Sequence, residues 1–194
     1  MNRYTHGMFT PRIAALIDEL DELAKTRTDA LQVPRAEGEL LHQIALTSRC
    51  KLIVEVGTSY GFSGLFWGAA LRRTGGRLHT IDISLMKRDS AQKTFARADI
   101  SDLVVCHLGD ARSVLATIDG PIDLAFLDAD KESTRAYLDL SWPKLAVGGS
   151  VITDNAVSHR SELADFVRHV RSMPDATSVE VAVGNGIEWT VKVR

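Results

Sequence analysis

Short apolar runs alternate with amphipathic stretches along most of the chain. Thr10 and Pro11 predict the start of a helix, because the N–H that proline lacks has no partner at the first helical position. Apolar residues follow at helical spacing as far as Leu23, and a second helix is predicted over 37–47. Strands are predicted at the later apolar runs, 52–56, 78–81, 103–106, 122–127 and 150–153. Further helices are predicted over 63–73, 85–98, 111–118, 134–145 and 161–172.

This alternation determines the expected sheet. Strands joined by helices of this length make right-handed crossovers and lie parallel to one another. Two last apolar runs, 178–183 and 187–193, flank Gly184-Asn185-Gly186, which is the turn chemistry of a β-hairpin. The pattern therefore predicts an α/β fold: a doubly wound, mostly parallel seven-stranded sheet with a C-terminal antiparallel hairpin. Since no linker or repeat divides the chain, we predict a single domain over 1–194, with N-terminal helices in 1–47.

Composition and charge narrow the classes of function. A net charge of −2 over 194 residues gives no general attraction for nucleic acid, so no nucleic-acid partner is expected. The first twelve residues lack the apolar core of a signal peptide, and the apolar stretch 65–71 is too short to cross a bilayer. Cys50 and Cys106 lie on apolar segments and are expected to be buried, reduced thiols. We therefore predict a cytoplasmic location and no membrane partner.

Acidic residues stand at or near the end of every predicted parallel strand. They are Glu55, Asp82, Asp110, Asp128 and Asp154. In an open α/β sheet the carboxyl ends of the strands form one edge, and ligands bind there. Five carboxylates at one edge would repel each other, so cations or ligand hydroxyls are expected to compensate them. The sequence thus predicts a ligand site at this edge.

A glycine-rich turn follows the first of these strands. In the segment 55–64, three residues separate Gly57 from Gly61, so it is neither GxGxxG nor a phosphate-binding P-loop. Asp82, at the end of the second strand, suits the two hydroxyls of a ribose. The turn and Asp82 together indicate a nucleoside-type cofactor. Glu55 beside the turn disfavours a pyrophosphate and tolerates a sulfonium or an ammonium group.

The fourth and fifth strands end in oxygen ligands suited to a cation. Asp128 follows one strand, and Asp154 and Asn155 follow the other. Because neighbouring strands lie about 4.8 Å apart, these side chains can share one ion. An all-oxygen set favours magnesium, calcium or manganese over zinc. The alternative, that Asp154 and Asn155 only cap the following helix, is equally compatible with the spacing.

With these residues the chain resembles the cation-dependent O-methyltransferases, the class I methyltransferase family of catechol O-methyltransferase and caffeoyl-CoA O-methyltransferase. Six segments carry the resemblance and occur in the family's order: 54–63, 80–82, 109–111, 123–131, 148–155 and 183–187. The first is shared by many methyltransferases. The Asp128-Ala129-Asp130-Lys131 and Asp154-Asn155 segments are much more specific to this family.

The resemblance implies an activity and a set of site residues. The protein would transfer a methyl group from S-adenosylmethionine to a hydroxyl of a small, catechol-like acceptor, with residues 48–194 as the cofactor-binding and catalytic core. Implied contacts to S-adenosylmethionine are Val33, Glu55, Gly57, Thr58, Ser63, Asp82, Ala111 and Asp130. Implied metal ligands are Asp128, Asp154 and Asn155, for magnesium first and manganese or calcium as alternatives. Lys131 would be the base, with Asp128 as the second catalytic residue, and family habit suggests a homodimer.

The sequence departs from the family in features that bear on the acceptor. The stretch after Asn155 is shorter than in the plant and mammalian relatives, which carry a substrate-covering insertion there, and the N-terminal segment is also short. Acceptor identity therefore cannot be carried over. Asn185 replaces the family's usual aspartate in the hairpin turn. Two alternatives stay open: a metal-independent small-molecule methyltransferase of the same fold, and a non-catalytic S-adenosylmethionine-binding domain.

Overall fold

The fold is described for residues 7–194 of a computed structural model; the first six residues, part of the segment considered above for a signal peptide, lie outside the described residues. The described residues form seven strands and seven α-helices. The strands are β1 (Leu52–Val56), β2 (Arg77–Asp82), β3 (Val104–Leu108), β4 (Ile122–Leu127), β5 (Leu145–Thr153), β6 (Ala176–Val181) and β7 (Ile187–Lys192). The helices are α1 (Pro11–Thr26), α2 (Arg35–Thr47), α3 (Phe62–Thr74), α4 (Leu85–Ala98), α5 (Ala111–Thr117), α6 (Thr134–Ser141) and α7 (Arg160–Ser172).

All seven strands form one sheet in the order β3-β2-β1-β4-β5-β7-β6. The first five strands are parallel, whereas β7 runs antiparallel to both β5 and β6. This confirms the predicted doubly wound sheet and its C-terminal hairpin. Strand order reverses between β1 and β4, and a crevice for ligands is expected outside the carboxyl ends of these two strands.

Helices cover both faces of the sheet, and each face has its own apolar core. One core contains buried aromatic residues of α3 and α4, among them Phe66, Trp67 and Phe95, together with the apolar stripe of α1. The other lies beneath α5, α6 and α7 and includes Leu115, Leu138 and Phe166. Because both faces are covered, β1 and β4 are buried almost throughout, as their continuous apolar sequences require.

Several element boundaries differ from the sequence prediction, and those around Pro143 and in the third strand have a clear physical reason. The helix predicted over 134–145 ends at Ser141, and Trp142–Lys144 form a 3-10 turn. Pro143 has no N–H to continue the helical ladder, so Leu145 is available to begin β5, where it pairs with Ile122. The third strand, predicted over 103–106, runs instead from Val104 to Leu108 because its residues follow β2 in register as far as Asp82.

Two further sequence expectations concern thiols and membranes. Both cysteines are free, but only Cys50 is fully buried, whereas Cys106 is partly exposed on the edge strand β3. Within residues 7–194, each helix is too short or too polar to span a bilayer.

Candidate active site

A cavity of about 800 Å³ lies at the carboxyl edge of the sheet, at the reversal point of the strand order. Eight of the predicted site residues line it: Gly57, Asp82, Ala111, Asp128, Asp130, Lys131, Asp154 and Asn155. Four others lie behind the cavity wall and are buried: Val33, Glu55, Thr58 and Ser63. The fold therefore brings the two predicted groups, for the cofactor and for the cation, to one cavity.

The glycine turn after β1 is pressed against the end of β4. Gly57 has a φ of +106°, and a Cβ at this position would lie 2.0 Å from the carbonyl oxygen of Asp128. Only glycine accommodates both the backbone conformation and this close approach. Gly61 is also left-handed and precedes the first turn of α3. The turn thus keeps backbone, rather than side chains, at the mouth of the crevice.

Asp82 is already oriented by the turn beside it. Its Oδ2 accepts from the N–H of Ser59 at 2.8 Å, and its Oδ1 accepts from the N–H of Ser84 at 2.8 Å. Each carboxylate oxygen has a second lone pair, so both oxygens can accept another hydrogen bond from a ligand in the cavity. Ser59 was not predicted as a site residue, although its positive φ of 48° is what aims its N–H at Asp82.

Glu55 is fully buried and does not line the cavity, although its position near the strand end suggested that it would. Its Oε1 accepts from Ser63 Oγ at 2.6 Å and from Trp67 Nε1 at 2.9 Å, and its Oε2 accepts from Thr80 Oγ1 at 2.6 Å. Thr80 is in turn hydrogen-bonded to Thr58 at 2.6 Å. Burial raises the pKa of Glu55 to about 6, although these three donors oppose the shift. The carboxylate holds the turn, α3 and β2 together from beneath the cavity.

Asp130 lines the cavity and is fixed by two hydrogen bonds. Its Oδ2 accepts from the Tyr137 hydroxyl at 2.6 Å and its Oδ1 from the N–H of Ser133 at 2.8 Å. Partial burial, the largest single influence, raises the pKa of Asp130. The hydrogen bonds act together in the other direction and outweigh burial, so the pKa of Asp130 is lowered. Ala111, at the start of α5, completes this wall without a side chain that would fill the space.

The predicted metal ligands form a buried acidic group. Asp154 is 1% exposed, and burial together with the Asp154 carboxylate raises the pKa of Asp128. Lys131 Nζ lies 3.7 Å from Asp128 Oδ1 and partly offsets this repulsion. Asn155 adopts a left-handed backbone conformation with a φ of +67°. Its amide nitrogen donates to Ser158 Oγ at 3.1 Å.

Sequence reasoning missed Glu37, which belongs to the same acidic group. This residue lies in the first turn of α2 and is fully buried, and its Oε2 accepts from the N–H of Asn185 at 3.0 Å. Asn185 also lines the cavity, and its amide nitrogen lies 3.4 Å from Asp154 Oδ2. Burial and the neighbouring Asp154 carboxylate raise the pKa of Glu37 well above its usual range. The only signal for Glu37 in the sequence is an acidic residue in the first turn of a predicted helix. Such residues are common because the helix dipole favours them, so the signal does not indicate a site.

The composition of the acidic group bears on whether it can hold a cation. Among residues 7–194, no three His, Cys, Asp or Glu side chains are arranged as a metal site. The predicted set nevertheless differs from such a trio, because it combines two carboxylates with the amide oxygen of Asn155. One buried carboxylate oxygen, Glu37 Oε1, has no hydrogen-bond partner within the described residues. Carboxylates that are buried together with one lysine fit a hard divalent cation, and the ligand set stays a prediction.

Comparisons with known proteins agree with this architecture. A family described as a methyltransferase domain matches residues 54–156. The chain is 30% identical over 189 residues to a catechol O-methyltransferase from Niastella koreensis, which covers 93% of this chain and 85% of that relative. A catechol O-methyltransferase from Mycobacterium tuberculosis is 30% identical over 148 residues, 73% of this chain and 67% of the relative.

A solved structure shows the same arrangement of elements. It is the O-methyltransferase TomG from Streptomyces achromogenes, determined in complex with S-adenosylmethionine, with a TM-score of 0.80 and 25% identity. The similarity covers 98% of this chain and 94% of TomG. Together with the cavity at the carboxyl edge, these matches identify the family: the chain belongs to the S-adenosylmethionine-dependent O-methyltransferases.

Proposed function

We propose that this O-methyltransferase acts on a small catechol-like acceptor and uses a divalent cation held by Asp128, Asp154 and Asn155. One observation carries the proposal. These three residues and Lys131 line the same cavity as Gly57 and Asp82, so a methyl donor and an oxygen acceptor fit side by side. The two relatives named catechol O-methyltransferase support the choice of acceptor.

The residues around the glycine turn would hold the methyl donor. Asp82 would accept hydrogen bonds from the ribose hydroxyls, since each of its oxygens already accepts one backbone N–H and keeps a further lone pair. Gly57 and Ala111 leave room for the donor at the mouth of the crevice. Asp130 is fixed by Tyr137 and would accept a hydrogen bond from an N–H group of the methyl donor. S-adenosylmethionine, when bound, supplies a methyl group on a positively charged sulfur.

Glu55, Ser63, Thr58 and Val33 would act from behind this wall. Glu55 is bonded to Ser63 and, through Thr80, linked to Thr58, so it fixes the turn rather than facing the cavity. Its charge nevertheless lies beneath the turn and favours a cationic ligand above it. Direct contact of these four residues with S-adenosylmethionine stays a prediction from the family resemblance.

The acidic group and Lys131 would prepare the acceptor. A bound divalent cation supplies charge that lowers the pKa of an acceptor hydroxyl. Asp128 and Asp154 follow the ends of the adjacent strands β4 and β5, and Asn155 comes directly after Asp154, so the three ligands would come from neighbouring positions. Lys131 lies next to Asp128 and is largely buried, with 14% of its side chain exposed. It would take the acceptor's proton as the neutral amine, because a bound divalent cation beside it disfavours the ammonium form.

Methyl transfer with and without cation tests the proposal. We expect the purified protein to methylate simple vicinal diphenols with labelled S-adenosylmethionine, to lose this activity in excess chelator, and to regain it with Mg²⁺ or Mn²⁺. Asp154→Ala should behave like the chelated protein and still bind S-adenosylmethionine, measured by calorimetry. Full activity in chelator would contradict the cation and favour the metal-independent methyltransferase. Cofactor binding without transfer to any diphenol would contradict the acceptor class.

A further inference from the structure

Glu37 is a buried acid beside the predicted metal ligands that the proposed mechanism does not use. Its side chain is fully buried in the first turn of α2, far along the chain from the other acidic residues. One carboxylate oxygen, Oε2, accepts from the N–H of Asn185 at 3.0 Å. The other, Oε1, is buried and accepts no hydrogen bond within residues 7–194; its neighbour is the Asp154 carboxyl group, with which it can bond only through a shared proton. A buried carboxylate oxygen without a donor is costly, so a role outside packing is expected.

The hairpin turn fixes Glu37 against the acidic group. Gly184 lies so close that a Cβ there would be 2.5 Å from Glu37 Oε2. The next residue, Asn185, donates its backbone N–H to Glu37, and its side-chain amide nitrogen lies 3.4 Å from Asp154 Oδ2. Its carbonyl oxygen also accepts from the N–H groups of Val157 and Ser158, at 3.2 and 3.0 Å. Glu37 is therefore held rigidly beside Asp154 from a separate element of the fold.

Packing alone does not account for an acid at this position. The carboxyl group of Asp154 is its neighbour, and Asp128 is close enough to add to the repulsion. A glutamine would accept the Asn185 N–H equally well and could donate to Asp154 through its amide nitrogen. Carboxyl groups packed this closely are stable together only when a proton or a cation lies between them, and a glutamate, unlike a glutamine, can offer its charge to a cation.

We propose that Glu37 is a positioning residue of the cation site, which strengthens cation binding through its charge and orients Asp154 through Asn185 without being one of the three ligands. The inference rests on the proposed cation function. Mg²⁺ keeps several of its water molecules when it binds proteins, so a carboxylate beyond the direct ligands can still act on the hydrated ion. Outer residues of this kind typically change metal affinity about 10- to 100-fold when they are replaced.

Cation titration of the Glu37→Gln variant tests the inference. The glutamine keeps the acceptor for Asn185 and removes only the charge. By calorimetry on the whole chain, we expect Mg²⁺ and Mn²⁺ to bind about 10- to 100-fold more weakly than to the wild type. Affinity for S-adenosylmethionine should be unchanged. Without cation, the unfolding temperature of the variant should not fall, because a repulsive contact is replaced by a hydrogen bond.

Glu188→Gln is the matched control. Glu188 is equally buried, but its carboxylate is paired with Arg171 at 2.7 Å and accepts from Ser178 at 2.7 Å. This variant should unfold at a lower temperature and keep its cation affinity. The inference is supported if cation binding weakens only in Glu37→Gln and the unfolding temperature falls only in Glu188→Gln.

Three outcomes would overturn it. Equal cation affinity of wild type and Glu37→Gln would show that the charge has no effect on the site. A lower unfolding temperature together with weaker S-adenosylmethionine binding would assign Glu37 to structure alone. If the wild type itself binds neither cation, the proposed cation function fails, and this inference fails with it; the wild-type titration separates that case from the first.

Discussion

The carboxylates at the edge of the sheet differ in what already binds them. Asp82 and Asp130 each accept hydrogen bonds on both oxygens, which fixes their orientation before any ligand arrives. Asp154 accepts from the N–H of Asn155 at 2.5 Å and has a long contact of 3.4 Å to the Asn185 amide. Within residues 7–194, by contrast, Asp128 has only Lys131 nearby, which partly offsets its repulsion by Asp154. The first pair is thus suited to hydrogen-bond a polar cofactor, and the second pair is suited to a charge.

Lys131 should be essential for transfer and dispensable for cofactor binding. General acid–base groups contribute at least about a hundredfold, so Lys131→Met should lower turnover by that factor or more. Affinity for S-adenosylmethionine should stay near the wild-type value, measured by calorimetry. Lys93→Met, at an exposed lysine of α4, is the control and should keep full turnover. A Lys131→Met variant with most of its activity would mean that the proton leaves by another route.

Glu55 should make stability depend on pH in a predictable direction. Its pKa is raised from 4.5 to about 6 by burial, so the folded protein binds its proton more tightly than the unfolded chain. The resulting stabilisation is complete below pH 4.5 and is lost as pH rises through about 6, which corresponds to about 2 kcal/mol. Glu55→Gln removes this loss while it keeps acceptors for Ser63 and Trp67.

Urea unfolding at a series of pH values measures the effect. The difference in unfolding free energy between Glu55→Gln and wild type should grow in favour of the variant between pH 4 and pH 7.5, by about 2 kcal/mol. A difference that is flat across this range would contradict the raised pKa. Carboxyl groups that are distant from Glu55 titrate alike in both proteins, so their contributions cancel.

At the scale of elements, the glycine turn depends on how closely β1 and β4 approach. Gly57→Ala would combine a left-handed φ with a Cβ only 2.0 Å from the Asp128 carbonyl oxygen. We expect it to displace the turn, lower the unfolding temperature and weaken S-adenosylmethionine binding more than tenfold. Gly148→Ala is the matched control, since Gly148 has a φ of +84° and nothing within 4 Å of an added Cβ.

The two glycine variants separate strain from contact. Gly148→Ala should cost about 1–2 kcal/mol of stability, the price of a left-handed conformation for alanine, and should leave cofactor affinity intact. Calorimetry and thermal unfolding of both variants measure this. If the two variants lost cofactor affinity equally, the close approach of Gly57 to β4 would not be what shapes the site.

The alternating pattern was sufficient to predict the elements but not all of their ends. Apolar runs and glycine turns specified five parallel strands and a hairpin, because each run must be buried on both faces. The start of β5 was missed because Leu145 follows an amphipathic stretch, and only Pro143 signalled that the helix had stopped. Pairing with β4, which no local pattern reveals, decides that Leu145 is a strand residue.

At the scale of the whole molecule, the topology collects residues that are distant in the sequence. Strand-end acids were predictable as a group, since parallel strands present their carboxyl ends at one edge. Glu37 was not, because it approaches Asp154 only when α2 meets the hairpin turn, and Asn185 is its contact 148 residues away. Likewise, Glu55 has a strand-end position but points beneath the turn, and only packing determines that direction.

The rim of the cavity determines the last prediction, which concerns the range of acceptors. The segment between the acidic group and α7 is short, only Ala156–His159. Two apolar side chains at the cavity, Leu31 and Ile83, are 72% and 76% exposed. A single apolar contact discriminates substrates by roughly 10- to 200-fold. Where few side chains cover the acceptor, diphenols with different ring substituents should have kcat/KM values within about tenfold of one another.

Steady-state kinetics with a series of substituted vicinal diphenols checks this, with methyl, carboxylate and aryl substituents placed away from the two hydroxyls. The variation should appear in KM more than in kcat, because the ring substituents lie outside the acidic group and Lys131, where the chemistry takes place. A spread of more than a hundredfold would contradict an open rim. It would mean that another surface closes over the acceptor, and the exposed Leu31 and Ile83 are the apolar residues against which such a surface would pack.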